Sequence, residues 1–323
     1  MAAGHLAAQP LDDPKARAAL PEYHTIPAAK PSELTPAAAI PMEPFARWTR
    51  SQGDNGARRY SSLKQINRDN VRELAVAWTF RSGDGATNVQ CTPIVVDGLM
   101  YAPTPGRAIV ALDAATGVER WRKKLEPLSR QIRPQDIPAR RGLVYWPGDK
   151  DNAPRVIFGA DDWIYAIDPK TGESLRDFGQ NGRTYIDTGA TASGAVHNFV
   201  YITTGIHGDI YAYDVRDGKP LWRFHSVAQG SEFGADTWDG LQAGANGWSG
   251  ISIDDQRGIA FIALGAPRPD MVGVGRLGDN LYSDCVLALD VQTGKRLWHF
   301  QDLRHDIWDL DVCAPPKIGR AHV

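Results

Sequence analysis

A fourteen-residue pattern written four times constrains this chain more than any other feature: AIVALDAATGVERW, WIYAIDPKTGESLR, DIYAYDVRDGKPLW and CVLALDVQTGKRLW. Ala111, Ala166, Ala212 and Ala288 each stand two residues before Asp113, Asp168, Asp214 and Asp290, and Gly117, Gly172, Gly218 and Gly294 stand four after. The pattern describes a hairpin. An apolar strand runs into an Asp whose carboxylate can hold the turn backbone, and a Gly takes the positive φ that the reversal demands. A second strand then reaches a large ring, Trp121, Trp222 or Trp298; the second copy has Arg176 there and is expected to lack that pin. Stretches upstream, TPIVVDGLMYAPT (92–104) and NFVYITT (198–204), supply two further strands per unit. Four antiparallel strands make a propeller blade, and a blade cannot cover its own faces, so the units must stack around a central channel, with the repeated Trp wedged between neighbours. The expected fold is therefore all-β, a partial propeller of about four to five blades. The longest insertion between copies, near 227–247, is expected to form loops on one face, where function concentrates.

Composition removes competing classes. A formal charge of -2, without any Lys/Arg cluster, leaves no basic surface for nucleic acid. The 32 Gly, 22 Pro, 10 Trp and 10 Tyr suit many short strands joined by tight turns. Cys91, Cys285 and Cys313 are odd in number and lack metal-ligand spacing, so they are expected to be free thiols. No apolar run reaches the ~20 residues of a membrane span, and the start MAAGHLAAQP lacks the regions of a secretory signal. Residues 1–44, rich in Ala and Pro, read as a flexible lead; 45–316 as the propeller; and 317–323 (KIGRAHV) as the translation of a sequencing-library adapter, outside the fold.

Beyond the repeat, QGDNGARRYSSLKQINRDNVRELAVAWTF (52–80), ARRGLVYWPGD (139–149) and above all LWHFQDLRHDIWDLDVCAPP (297–316) resemble the quinoprotein dehydrogenases that use pyrroloquinoline quinone (PQQ) to oxidise glucose, quinate or alcohols. The resemblance implies an eight-bladed propeller, of which this chain is an amino-terminal portion. It implies a quinone lying flat near the axis and a cation, Ca2+ or another divalent or lanthanide ion, on the quinone oxygens. Asp309, the second Asp of HDxWD, would be the base that takes the substrate hydroxyl proton, as oxidation of an alcohol needs a carboxylate beside the electrophilic carbon. His305, Asp306 and Trp308 would position that loop. Trp248 would be the floor under the quinone, Arg141 the grip on its anionic edge, and Gln90 and Thr191 further cofactor contacts. Asp309 and Asp311 would hold the cation. Partners would be a sugar or alcohol and a quinone or cytochrome electron acceptor, on the periplasmic side, with any membrane association running through segments absent here.

The match has departures. Where family alcohol dehydrogenases cap the quinone with paired cysteines the chain has Gln135 and Asp136, and where glucose dehydrogenases have His it has Ile137. The family's metal-binding Asn corresponds to Ala266, and its Glu has no counterpart in TTGIHGD (203–209). The strand near 74–80 would belong to the closing blade, whose other strands are not in the sequence. The other reading is a non-enzymatic propeller scaffold of the outer-membrane assembly type, which shares the repeat but has no use for Trp248, Arg141 and Asp309 together.

Overall fold

The computed structural model describes residues 47–61, 63–85, 89–126 and 138–317. Gln135, Asp136, Ile137, the lead 1–44 and all of the tail except Lys317 lie outside them. The described residues build four four-stranded antiparallel sheets, each a run of consecutive hairpins. Blade one is β1 (Ile94–Val96), β2 (Leu99–Pro103), β3 (Ala108–Asp113) and β4 (Glu119–Lys124). Blade two is β5 (Val144–Trp146), β6 (Arg155–Ala160), β7 (Trp163–Ile167) and β8 (Arg183–Tyr185). Blade three is β9 (Ala195–His197), β10 (Val200–Thr204), β11 (Ile210–Asp214) and β12 (Pro220–Phe224). The insertion after it contributes β13 (Asp239–Gly240). Blade four is β14 (Ile251–Asp254), β15 (Ile259–Leu264), β17 (Cys285–Asp290) and β18 (Arg296–Gln301), with β16 (Arg276–Leu277) pairing back to β13 from a second insertion between β15 and β17.

Each repeat folds as its residues require. Asp113 Oδ1 accepts the N–H groups of Ala115 and Thr116 at 3.1 and 3.0 Å, and Gly117, at φ +72°, returns its N–H to the Asp113 carbonyl at 2.8 Å. Trp121, Trp222 and Trp298 stand opposite Ala111, Ala212 and Ala288, with a bulge at the same place in each of those three ladders.

The rings dock onto the next blade, and the glycines explain how. A Cβ built on Gly172 would come within 2.7 Å of Trp121, one on Gly294 within 2.5 Å of Trp222, and one on Gly117 within 2.5 Å of Trp78. Each indole N–H donates to the carbonyl just after the neighbour's Asp: Trp121 to Pro169 at 3.0 Å, Trp222 to Val291 at 2.9 Å and Trp78 to Ala114 at 3.3 Å. The second copy is not unpinned. After Leu175 its chain leaves the ladder, and Phe178, fully buried, packs on Gly218 in place of the Trp expected at Arg176. Apolar clusters fill the joints between successive blades: Ile109, Val156 and Phe158 between one and two, Ile164, Tyr201 and Tyr213 between two and three, Ile202, Ile262 and Leu287 between three and four.

Two features set up the centre. The inner strands β1, β5, β9 and β14 neighbour one another. The segment 48–55 then stitches across all four: Trp48 N–H to Val95 O at 2.7 Å, Tyr145 N–H to Thr49 O at 2.7 Å, Asn55 Nδ2 to Val196 O at 2.9 Å and Ile253 N–H to Asn55 O at 2.7 Å. The stretch 74–80 pairs with no strand among the described residues; Leu74 and Val76 are exposed, and only Trp78 is docked.

Candidate active site

Propeller geometry turns a repeated position in sequence into a ring in space. Immediately before the inner strand of each blade stand Gln90 and Thr92 (before β1), Arg140 and Arg141 (β5), Thr191 (β9), and Asn246, Trp248 and Ser249 (β14), and all of them line one cavity of about 790 Å³. Loops after later strands close it: His207 after β10, Ala266, Arg268 and Asp270 after β15, and Asp309, Asp311 and Cys313 after β18. Ser51, Gln52 and Arg59 come from the stitching segment. Every residue singled out from the sequence as catalytic, cofactor-binding or metal-binding is therefore on this one wall.

Trp248 is the best-held of them. Its Nε1 donates to Asp311 Oδ2 at 2.8 Å, while the Ala266 N–H donates to Asp311 Oδ1 at 2.6 Å. Gly265 makes this possible, since a Cβ there would lie 2.1 Å from the Asp311 carboxylate. Over the indole, 5.3 Å from its centroid, stands the guanidinium of Arg141, which also donates to Thr191 Oγ1 at 3.0 Å. Burial, with Arg140 beside it and Asp311 opposing, brings Arg141 down to about 10, so it remains a cation at neutral pH. Gln90 is tied by its N–H to the Arg140 carbonyl at 3.0 Å.

Asp309 sits in a loop shaped around another carboxylate. Asp306, fully buried, accepts the N–H groups of Trp308 and Leu310, both at 2.8 Å, and so brackets Asp309, whose φ is +59°. The buried Arg276 donates to the carbonyls of Asp306 and Pro269, tying this loop to the one that carries Arg268 and Asp270. His305 contacts Gly278 O at 3.0 Å. The Trp308 side chain, 59% exposed, does not hold the loop; only its backbone N–H takes part, which corrects the sequence expectation. Among the described residues the Asp309 carboxylate has no hydrogen-bond or ion-pair partner. Its pKa is raised, first by burial and then by Asp311, Asp270 and Asp306, with Arg268 pulling the other way. Beneath the loop the buried Asp284 is pushed up to about 8 by burial and by Asp306 and Asp311.

Sequence reasoning missed Arg59, Arg268, Asp270, His207 and Asn246. Arg59 and His207 lie within segments that were read, 52–80 and 203–209, but nothing local marks them as facing the axis. The electrostatics are those of a site for an organic anion: Arg59, Arg140, Arg141 and Arg268 line the wall, and none of the four forms an ion pair among the described residues. Arg140 Nε, Ser249 Oγ and Asn246 Oδ1 are buried there and have no hydrogen-bond partner among the described residues. Unpaired guanidiniums, an indole face and orphaned polar atoms fit a flat polycarboxylate, and a cavity of about 790 Å³ is ample for one.

The cavity thus combines an indole face, arginine walls and, among the described residues, a carboxylate without a partner. The chain belongs to the PQQ family, the β-propeller domain of glucose, ethanol and alcohol dehydrogenases, whose model matches residues 48–323. It is 29% identical to quinoprotein glucose dehydrogenase A of Acinetobacter calcoaceticus, over 88% of this chain and 41% of that protein. It is 32% identical to the quinohemoprotein alcohol dehydrogenase ADH-IIG of Pseudomonas putida, over 84% of this chain and 40% of that one. Among solved structures, the quinohemoprotein alcohol dehydrogenase of Comamonas testosteroni superposes with a TM-score of 0.70 at 27% identity, covering 84% of this chain and 43% of the other. The chain thus spans about two fifths of the length of these relatives.

Proposed function

We propose that this chain is part of a PQQ-dependent dehydrogenase that oxidises a sugar or alcohol hydroxyl to a carbonyl on the periplasmic side and passes the electrons to a quinone or cytochrome. The observation that carries this reading is the convergence of Trp248, Arg141, Thr191, Gln90, Asp309 and Asp311 on one cavity. Because the chain spans about two fifths of its relatives, the activity is assigned to a whole protein built like them, and the isolated chain is expected to bind PQQ weakly.

Bound PQQ supplies a two-electron acceptor carbon. The chain supplies the rest. Trp248 offers its face as a platform and is kept from tilting by Asp311 at its N–H edge. Arg141 leaves that face to grip the cofactor's carboxylates, with Thr191 as its hinge contact. Asp309, bracketed by Asp306 and facing the cavity without a partner, takes the proton from the substrate hydroxyl. Asp309 and Asp311 would hold the cation, Ca2+ or a lanthanide, which would supply Lewis-acid polarisation of the acceptor.

The test is a pH profile with a matched mutant of the full-length enzyme reconstituted with PQQ and Ca2+. A base must be ionised to work, so kcat/KM is expected to rise with pH as the Asp309 carboxyl loses its proton, and Asp309→Asn to lose about 10²- to 10⁴-fold in rate. Wild-type turnover by Asp309→Asn would sink the assignment of the base.

A further inference from the structure

Resting on the dehydrogenase reading, we infer that Asn246 supplies a third oxygen ligand, beside Asp309 and Asp311, for the hard cation of this site. Three carboxylates line the cavity, Asp270, Asp309 and Asp311, but among the described residues no three His, Cys, Asp or Glu side chains come together as a metal cluster, so a third ligand close beside Asp309 and Asp311 has to be an uncharged oxygen. Ala266, which follows Gly265 in the loop that receives Asp311, brings only a methyl.

Asn246 lies across from that loop. Its carbonyl accepts the Gly265 N–H at 2.9 Å, and the preceding Ala245 N–H donates to Ala266 O at 3.0 Å, so residues 245–246 run alongside 265–266. Asp311 is hydrogen-bonded to the same two-residue rung, through the Ala266 N–H. The Asn246 side chain lines the cavity in a residue only 8% exposed, and among the described residues its buried Oδ1 has no hydrogen-bond partner. An acceptor left this way costs about 1–3 kcal/mol unless something occupies it. Two carboxylates and one amide oxygen, with no nitrogen or sulfur donor, match Ca2+ or a lanthanide and not zinc or copper. The Asp309 carboxylate is free to join them, and each Asp311 oxygen, although hydrogen-bonded once, keeps a second lone pair.

The experiment is a Tb3+ titration of this chain, following emission sensitised by Trp248, with Ca2+ as competitor, in wild type, Asn246→Ala, Asn246→Asp and Asp309→Asn. Wild type is expected to show a saturable, Ca2+-displaceable site that Asp309→Asn weakens. Asn246→Ala should weaken it about ten-fold or more, and Asn246→Asp, which adds a charge at the same place, should tighten it. If Asn246→Ala perturbs the near-ultraviolet circular dichroism, the near-isosteric Asn246→Asp decides alone. The inference is overturned if wild type has no Asp309-dependent site, if Asn246→Ala in its native fold binds as wild type does, or if Asn246→Asp fails to tighten binding. PQQ binding is followed separately by absorbance on the full-length protein: its absence there, with ion binding to this chain intact, counts against the dehydrogenase reading and leaves Asn246 as a ligand.

Discussion

The rim and the axis of this propeller are built on opposite terms. At the rim, Trp121, Phe178 and Trp222 each close onto a glycine of the next blade, and both indoles give their N–H to a carbonyl. At the axis, among the described residues, four arginines stand without ion pairs, the buried Arg140 Nε, Ser249 Oγ and Asn246 Oδ1 lack hydrogen-bond partners, and two carboxyls are held above their ordinary pKa. Satisfied contacts at the joints hold the blades in place, and the frustration collects where a ligand can relieve it.

A second contrast lies within the rim. Trp222 and Trp298 share the same repeat position and the same Ala opposite, yet Trp222 is covered by Gly294 while Trp298 is 46% exposed, flanked by Leu297 and Phe300 at 47% and 53%. A docking ring therefore stabilises through the neighbour it meets and little through its own blade.

Mutations can break that contrast. The largest effect is expected at Phe178→Ala, a fully buried joint ring whose loss should cost about 3–5 kcal/mol in denaturant unfolding of this chain. Gly172→Ala comes next, at about 2–4 kcal/mol, since it combines a φ of +74° with a Cβ driven against Trp121. Trp298→Ala should cost under about 1 kcal/mol in the same assay, although it removes the same kind of ring. If Phe178→Ala and Trp298→Ala cost the same, the joint account fails.

The smallest effect belongs to the axis and has the opposite sign. Asp284 has a folded pKa of about 8, above its unfolded value, so its favourable contribution is complete at acid pH and is lost as pH rises through 8. Asp284→Asn mimics the protonated form and should raise Tm by about 2–4 °C at pH 9, with little change at pH 5. A stabilisation independent of pH would remove the charge from the explanation.

Much of this was legible in the chain itself. The Asp and Gly of each repeat dictate a hairpin through local hydrogen bonds and a positive φ, and four copies demand stacking. The resemblance carried by HDIWDLD, with Trp248 and Arg141, pointed to residues that line the cavity. The second blade was harder: Arg176 occupies the Trp position, and only the packed structure shows the chain leaving its ladder so that Phe178 can take the joint. Trp308 misled for the matching reason, since an aromatic in a motif gives no sign of whether its ring or its N–H is used.

What the sequence alone determined is whatever a few neighbouring residues can enforce: the turns, the strand alternation, the blade as a unit and its need for neighbours. What only the tertiary structure decided is which side chains meet. Gln90, Arg141, Thr191 and Trp248 are far apart along the chain, and they share one cavity because each precedes an inner strand of a radially stacked sheet. Among the described residues, the packing of blades also left Asn246 Oδ1 without a hydrogen-bond partner. Burial and missing partners are properties of the assembled surroundings, and no local pattern encodes them.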